Sequence, residues 1–279
     1  MNLIQALNTG YNLLKSSKIN SYKIDTEILL SASLKISKEK MILNLNKEIS
    51  FEDYENFLTK IKRRKANEPI AYILKKKEFW KNNFYLNKHV LVPRPETEHL
   101  VEESLDIITP IQKKKLLEIG VGSGCLIISI LKERVNCSAI GIDCCQNAVK
   151  IAKINAKLHQ INNRIQIFKS NVDNFNTGKY DLIVSNPPYI NKFQIKNLDV
   201  SEYEPFRALN GGINGTEMLE KVITKSSQLL KINGKLIIEI GYNQKYKVIE
   251  KLKKNKFYIN KVTKDLSNND RCIVSTKIL

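Results

Sequence analysis

An α/β fold with a small helical domain in front of it is what this sequence predicts, and three observations carry that prediction. From Lys115 onward, short apolar runs alternate with segments of helical period, the pattern of an open sheet flanked by helices. The first run, Leu116 to Ile119, passes directly into Gly120-Val121-Gly122-Ser123-Gly124 and then into a helical segment; glycines in such a turn let a ligand approach the backbone, and the helix N-terminus favours an anion. A later run, Asp181 to Ser185, breaks at Asn186-Pro187-Pro188-Tyr189, because proline donates nothing to a strand ladder and restricts the residue before it.

Composition bounds what these features can mean. A chain of 279 residues has room for two domains, and 42% hydrophobic with 27% charged residues is an ordinary globular balance with a real core. The longest apolar runs, such as Leu126 to Leu131, are far too short to span a bilayer. Met1 to Leu14 has neither the pattern of a secretory signal nor the arginines of a transit peptide. Five cysteines, at 125, 137, 144, 145 and 272, are odd in number and form no Cys-x-x-Cys pair. That argues against a disulfide framework or a zinc site and for reducing cytoplasm. His89, His99 and His159 have no metal-like spacing, so no metal is expected.

The net charge of +18, from 46 basic and 28 acidic residues, is compatible with a nucleic-acid partner. It is equally compatible with AT-biased codons, since most of the basic residues are Lys in a chain rich in Asn and Ile. The densest clusters, Lys60 to Lys65, Lys75 to Lys77 and Lys113 to Lys115, read first as solvated faces.

Taken in order, the first 75 residues or so read as helices. Leu3, Leu7, Tyr11 and Leu14 stripe one segment and Ile24, Ile28 and Leu29 the next. Ser50, with Asp53 three residues on, caps a third that carries Phe51, Tyr54, Phe57, Leu58 and Ile61 and runs to about Ala66. Nothing here pairs a nucleophile with a base, so this part reads as a recognition module. Next, Phe79-Trp80 and Phe84-Tyr85-Leu86 flank Asn82-Asn83, and Val90-Leu91-Val92 follows Asn87-Lys88, a hairpin pattern with Asn in the turns. Pro95 can start a helix whose first turn carries Glu96 and Glu98 and whose buried face is Leu100, Val101, Leu105 and Ile108. Arg94 and Thr97 sit where Pro93 and Pro95 fix the backbone, and they either line a site or form a plain joint between domains.

The strand Ala139 to Ile142 ends in Asp143, where a carboxylate can take both hydroxyls of a ribose. Cys125 stands where a dinucleotide fingerprint would have its third glycine. Helix 148–158 leads to strand 165–168, whose end at Asn171-Val172 reaches the same crevice. After Tyr189 a long loop runs to about Gly215, long enough to be functional or mobile. Met218, Leu219, Val222, Ile223, Ser226 and Leu230 stripe a helix and read as core rather than cofactor contacts; strand 235–240, a helix, and a closing hairpin of 257–261 and 272–276 complete the domain. Asn-Pro-Pro-Tyr itself suits a planar NH2: the Asn186 oxygen and the Pro187 carbonyl can accept its two hydrogens, with Tyr189 over the flat face.

These residues carry a resemblance. Glu118-Ile119-Gly120-Val121-Gly122-Ser123-Gly124, Asp143 and Asn186-Pro187-Pro188-Tyr189 resemble the cofactor loop, ribose acid and catalytic turn of S-adenosylmethionine-dependent amino methyltransferases. Ala71-Tyr72-Ile73-Leu74, Val90-Leu91-Val92-Pro93, Arg94-Pro95-Glu96-Thr97-Glu98 and Glu204-Pro205 narrow the likeness to the protein-(glutamine-N5) methyltransferases of the HemK family, over nearly the whole chain. The resemblance implies a seven-stranded Rossmann-like methyltransferase domain over 98–279, behind a helical substrate-recognition domain over 1–75 and a hairpin linker over 76–97. It implies S-adenosyl-L-methionine as cofactor, leaving as S-adenosyl-L-homocysteine and held by Gly120, Val121, Gly122, Ser123, Gly124, Asp143, Asn171, Val172 and Asn186. At 171 and 172 the relatives tend to carry Asp and an aromatic instead. Asn186, Pro187 and Tyr189 would be catalytic, and Asn186, Pro187, Pro188, Tyr189 and Arg94 would bind substrate. The Arg-Pro-Glu-Thr-Glu segment points to the enzyme acting on class 1 peptide chain release factors at their Gly-Gly-Gln tip, in a cytoplasmic monomer with no membrane or stable nucleic-acid partner. A glutamine methyltransferase of a ribosomal protein and an adenine-amino DNA or RNA methyltransferase are the alternatives. The chain offers no obvious target-recognition domain for a flipped base.

Overall fold

The computed structural model describes residues 1–198 and 202–278 and divides into two compact units, Met1–Lys76 and Lys77–Leu279. In the first unit, helices α1 (Leu3–Ser16), α2 (Tyr22–Leu34), α3 (Lys38–Ile42), α4 (Phe51–Lys65) and α5 (Ile70–Ile73) enclose a core of Leu3, Leu7, Leu14, Leu29, Leu30, Met41, Phe57 and Ile61. Asn2 and Gln5 cap α1 reciprocally and Ser50 accepts the Asp53 amide at the start of α4, satisfying amides that the first turn leaves unpaired. A Cβ on Gly10 would lie 2.5 Å from Thr26 and 2.8 Å from Phe57, so a glycine is what lets α1, α2 and α4 cross there.

Two expectations shift. The buried stripe of α2 is Thr26, Leu29, Leu30 and Ser33, while Ile24 is exposed, as is Phe51 on α4. Asp25 joins the buried face because Arg64 pairs with it at 2.7 Å. The basic run of α4 is also not one solvated face: Arg64 is committed to Asp25, Arg63 to Glu68 and Lys60 to Asn56, leaving Lys62 and Lys65 outward.

After α5 comes the hairpin of β1 (Lys76–Phe79) and β2 (Asn82–Tyr85), which but for Lys76 belongs to the second unit. Its turn is Trp80-Lys81, both left-handed at φ 46° and 62°, and not the asparagines. Tertiary contacts override the local preference for Asn. Phe79 and Phe84 are both buried, the Trp80 amide donates to Glu98 at 2.8 Å, and its indole donates to Glu133 at 3.0 Å. Val90 to Val92 is irregular rather than a strand. A 3-10 turn, Pro95–Thr97, leads into α6 (Glu98–Ile107).

Then follow β3 (Lys115–Ile119), α7 (Cys125–Glu133), β4 (Ser138–Asp143), α8 (Gln146–Leu158), β5 (Ile165–Lys169), β6 (Tyr180–Ser185), α9 (Phe206–Leu209), α10 (Glu217–Leu229), β7 (Leu230–Glu239), α11 (Lys245–Lys254), β8 (Phe257–Lys264) and β9 (Asp270–Lys277). The seven-stranded sheet has the order β5-β4-β3-β6-β7-β9-β8, with β3 to β7 parallel and β9 antiparallel to both neighbours. Side chains alternate across it. Leu116, Leu182, Val184 and Ile237 pack under α6, α7 and α8, while Leu117, Ile183, Leu236 and Ile238 pack under α10 and α11, which is why these strands read as continuous apolar runs. The order reverses between β4 and β6 around β3, opening a crevice at the carboxyl ends of those strands. The connection from Tyr189 to Gly215 carries a 3-10 turn at Ile195–Asn197, α9, and an Ile190–Asn210 bridge; its residues 199–201 lie outside the described residues. Among the described residues no helix is long and apolar enough to cross a membrane.

Candidate active site

A cavity of about 390 Å³ fills the crevice. Its walls include Arg94, Thr97, Glu118, the loop from Gly120 to Ser123, Asp143, Asn171, Val172 and Asn186 to Pro188. The expected residues therefore converge, with two exceptions.

Gly124 does not line the cavity. Together with Gly120 and Gly122 it is left-handed, at φ 82°, 81° and 51°, where a side chain is strained. The three then divide the work. A Cβ on Gly120 or Gly122 would meet little or nothing, while one on Gly124 would sit 2.8 Å from Ile128 and 3.4 Å from Ala152. Gly124 lets α7 pack on α8, and the other two leave room beside the loop. Asp143 holds the loop from the next strand, accepting the Gly122 amide at 2.9 Å and the Cys145 amide at 2.8 Å. Burial raises its carboxyl above the usual range, against those two bonds. Glu118, 3% exposed, accepts the Ile127 amide at 3.3 Å, and burial holds its pKa well above the ordinary value.

Tyr189 is the other exception: it is not among the cavity's walls. Its ring packs against the core beneath α10 and its hydroxyl donates to Glu239 at 3.1 Å. Gln244 fastens the same turn from behind, donating to the carbonyls of Tyr189 and Gly215 at 2.8 and 3.0 Å while accepting the Gly241 amide. Asn186 donates its Nδ2 to Thr97 Oγ1 at 2.9 Å, and Thr97 donates to Glu239 at 2.7 Å. Arg94, left open between a site and a joint, is at the wall and pairs with the buried Glu204 at 2.7 Å.

Sequence reasoning missed Glu239 and Gln244, and it assigned Met218 and Val222 to the core although both also reach the cavity. The signal for Glu239 was available: like Glu118 and Asp143, it is an acidic residue at the carboxyl end of an apolar strand. Burial pushes its carboxyl up to about 7, opposed by the bonds from Thr97 and Tyr189 and by Arg271. The folded protein thus keeps a proton that the unfolded chain releases above its ordinary value of 4.5, so the stabilising contribution is complete below that pH and lost as pH rises through about 7. Between pH 5 and pH 8 the wild type is expected to lose more stability than Glu239→Gln, by up to about 3 kcal/mol, as read from urea unfolding at the two pH values.

Residues 5–74 match the PrmC N-terminal domain family and residues 97–202 the Methyltransferase small domain family. A release factor glutamine methyltransferase of Buchnera aphidicola subsp. Schizaphis graminum is 38% identical, over 97% of this chain and 100% of that one. One of Fusobacterium nucleatum is 34% identical over 99% and 79%. A bifunctional methyltransferase of Rickettsia typhi is 37% identical over 96% of this chain, which spans only 56% of that longer protein. In fold, the chain is similar to a methyltransferase from Pyrococcus furiosus, at a TM-score of 0.55 and 18% identity over 81% of this chain and 100% of that one. A ribosomal protein L11 methylase from Lactobacillus delbrueckii gives 0.53 and 20% over 68% and 82%.

Proposed function

Because the chain belongs to the release factor glutamine methyltransferase family, we propose that it transfers a methyl group from S-adenosyl-L-methionine to the side-chain amide nitrogen of the glutamine in the Gly-Gly-Gln motif of class 1 release factors. The observation that carries this reading is the orientation of Asn186. With its Nδ2 committed to Thr97, its Oδ1 is the atom left for a ligand, and Asn186 and Pro187, whose carbonyl is a second acceptor, both line the wall shared with the glycine loop. Two such acceptors fit the two hydrogens of a primary amide.

The residues present also fit the cofactor. Gly120 and Gly122 leave open space where a side chain would stand. The Asp143 carboxylate, with two backbone amides bound, retains acceptor sites for a ribose diol. Val121, Ser123, Asn171 and Val172 would flank the nucleoside, and the buried Glu118 offers a partner for a cationic ammonium. When bound, this cofactor supplies an electrophilic methyl group on a sulfonium sulfur.

The amide nitrogen is a poor nucleophile because its lone pair is delocalised, so the chain's contribution is orientation. Asn186 Oδ1 and the Pro187 carbonyl would fix both hydrogens and leave the lone pair facing the methyl. Proline at 187 and 188 keeps the turn from relaxing, and Tyr189 and Gln244 pin it to β7 and α11. Orientation of this kind supplies up to roughly 7–11 kcal/mol in favourable intramolecular cases. The Arg94–Glu204 pair would shape the substrate side. The released proton, acidic once nitrogen is methylated, passes to water. Part of this reading is a cytoplasmic setting, where the five free cysteines remain thiols.

Labelled S-adenosylmethionine, offered in parallel with release factor, ribosomal protein and duplex DNA, is expected to label the release factor alone, on glutamine. Label on DNA and not on protein would overturn the reading in favour of an amino methyltransferase acting on a base.

A further inference from the structure

Glu239 touches neither the cavity nor the expected path of any substrate, yet it is 1% exposed and sits at the end of β7, next to the catalytic turn that ends β6. A carboxylate buried there is costly unless its lone pairs are used. It accepts two hydroxyls, Thr97 Oγ1 at 2.7 Å and the Tyr189 phenol at 3.1 Å. The other charged or titratable groups acting on it are Arg271 and Cys272 on β9 and Glu96 before α6. Arg271 is itself bonded to Asp265 at 2.8 Å. In its ionised form, which these two bonds favour against burial, Glu239 therefore dictates the direction of two hydroxyl protons.

The consequence for Thr97 is specific. A hydroxyl has one proton, and when that proton points at Glu239 the oxygen can only accept from Asn186. An Asn side chain is nearly symmetric in shape, and turning it over would exchange its oxygen and nitrogen. In the turned state Asn186 would present an NH2 to the substrate's NH2 and hold nothing.

We infer that Glu239 and Thr97 are positioning residues that act through Asn186, locking its amide so that Oδ1 rather than Nδ2 faces the glutamine. The inference rests on the proposed reaction, and two independent readouts keep the two apart. The first is kinetic. Thr97→Val keeps the buried shape and removes the hydroxyl; kcat on release factor is expected to fall about 10- to 100-fold, as for a misaligned reacting group, with KM for S-adenosylmethionine little changed. Thr97→Ser, which restores the hydroxyl, should recover most of kcat, and Glu239→Gln should fall between. The second readout needs no turnover. In the 15N spectrum, the side-chain NH2 of Asn186, identified by its disappearance in Asn186→Asp, should exchange slowly with solvent in the wild type and quickly in Thr97→Val.

Wild-type kcat in both Thr97→Val and Glu239→Gln would overturn the relay. So would an Asn186 NH2 that exchanges as fast in the wild type as in Thr97→Val. If the wild type fails to methylate release factor, the reaction reading fails, and the exchange measurement still decides the relay. Should Thr97→Val misfold, Glu239→Gln is read by the same two measurements.

Discussion

Asn186→Ala is expected to fold, to bind S-adenosylmethionine, and to lose about 10²- to 10³-fold in kcat, the scale on which a single preorganised hydrogen-bonding group contributes. Folding should survive because Asn186 is only half-buried and its one described bond, to Thr97, lies at the end of β6 rather than in the core. Truncation removes the acceptor for one of the two amide hydrogens, and the glutamine is then free to rotate about the remaining bond to the Pro187 carbonyl. The loss should fall on kcat, because orientation matters most in the transition state. Asn186→Asp sharpens the test. Its carboxylate has no proton to give Thr97, whose own proton is held by Glu239, so three oxygens would crowd one site and turnover should also collapse. Stopped-flow or single-turnover methylation, with cofactor affinity measured separately by calorimetry, checks both variants; near-normal methylation by Asn186→Ala would remove Asn186 from the mechanism.

A chain beginning near Lys77 is expected to retain S-adenosylmethionine binding while kcat/KM on intact release factor falls at least about tenfold, mainly through KM. Independent folding is supported by the cores: the apolar cluster of the first unit is drawn from residues 3–74, and those of the second unit start at Phe79. The argument for lost recognition concerns size. A slot that grips one primary amide cannot distinguish a release factor from other glutamine-bearing proteins, and the helical unit is the other large surface in the chain. Engaging the partner at a second point raises the local concentration of its tip, to about the mM range for a short connection. Cofactor titration comes first, to separate misfolding from lost recognition. Full kcat/KM in a truncated chain that binds cofactor would end the recognition role of the helical unit.

Much of this protein was legible without coordinates, and the reason differs by element. The parallel strands β3, β4 and β6 could be read from continuous apolar runs, because strands covered on both faces leave no polar alternation to confuse with a helix, whereas the edge strand β5 buries Ile165 and Ile167 and exposes Gln166 between them. The glycine loop, Asp143 and the Asn-Pro-Pro-Tyr turn were legible because their chemistry is local: left-handed φ calls for glycine, and two prolines end a strand whatever surrounds them. The hairpin turn was misplaced onto Asn82-Asn83 because its position is set by Phe79 and Phe84 seeking the core and by Glu98 and Glu133 holding Trp80, partners remote in sequence. The same holds for Tyr189. Its role over the substrate was inferred from the tetrapeptide alone, whereas the fold turns its hydroxyl toward Glu239, fifty residues on. Thr97, Asn186 and Glu239 come from three separate segments, and no periodicity or spacing links them. The sequence by itself determined which groups this protein would bring to chemistry, since those groups are fixed by backbone conformation and residue type. Which way the decisive amide points was decided only by the tertiary structure, because a hydroxyl proton takes its direction from whichever acceptor the fold buries beside it.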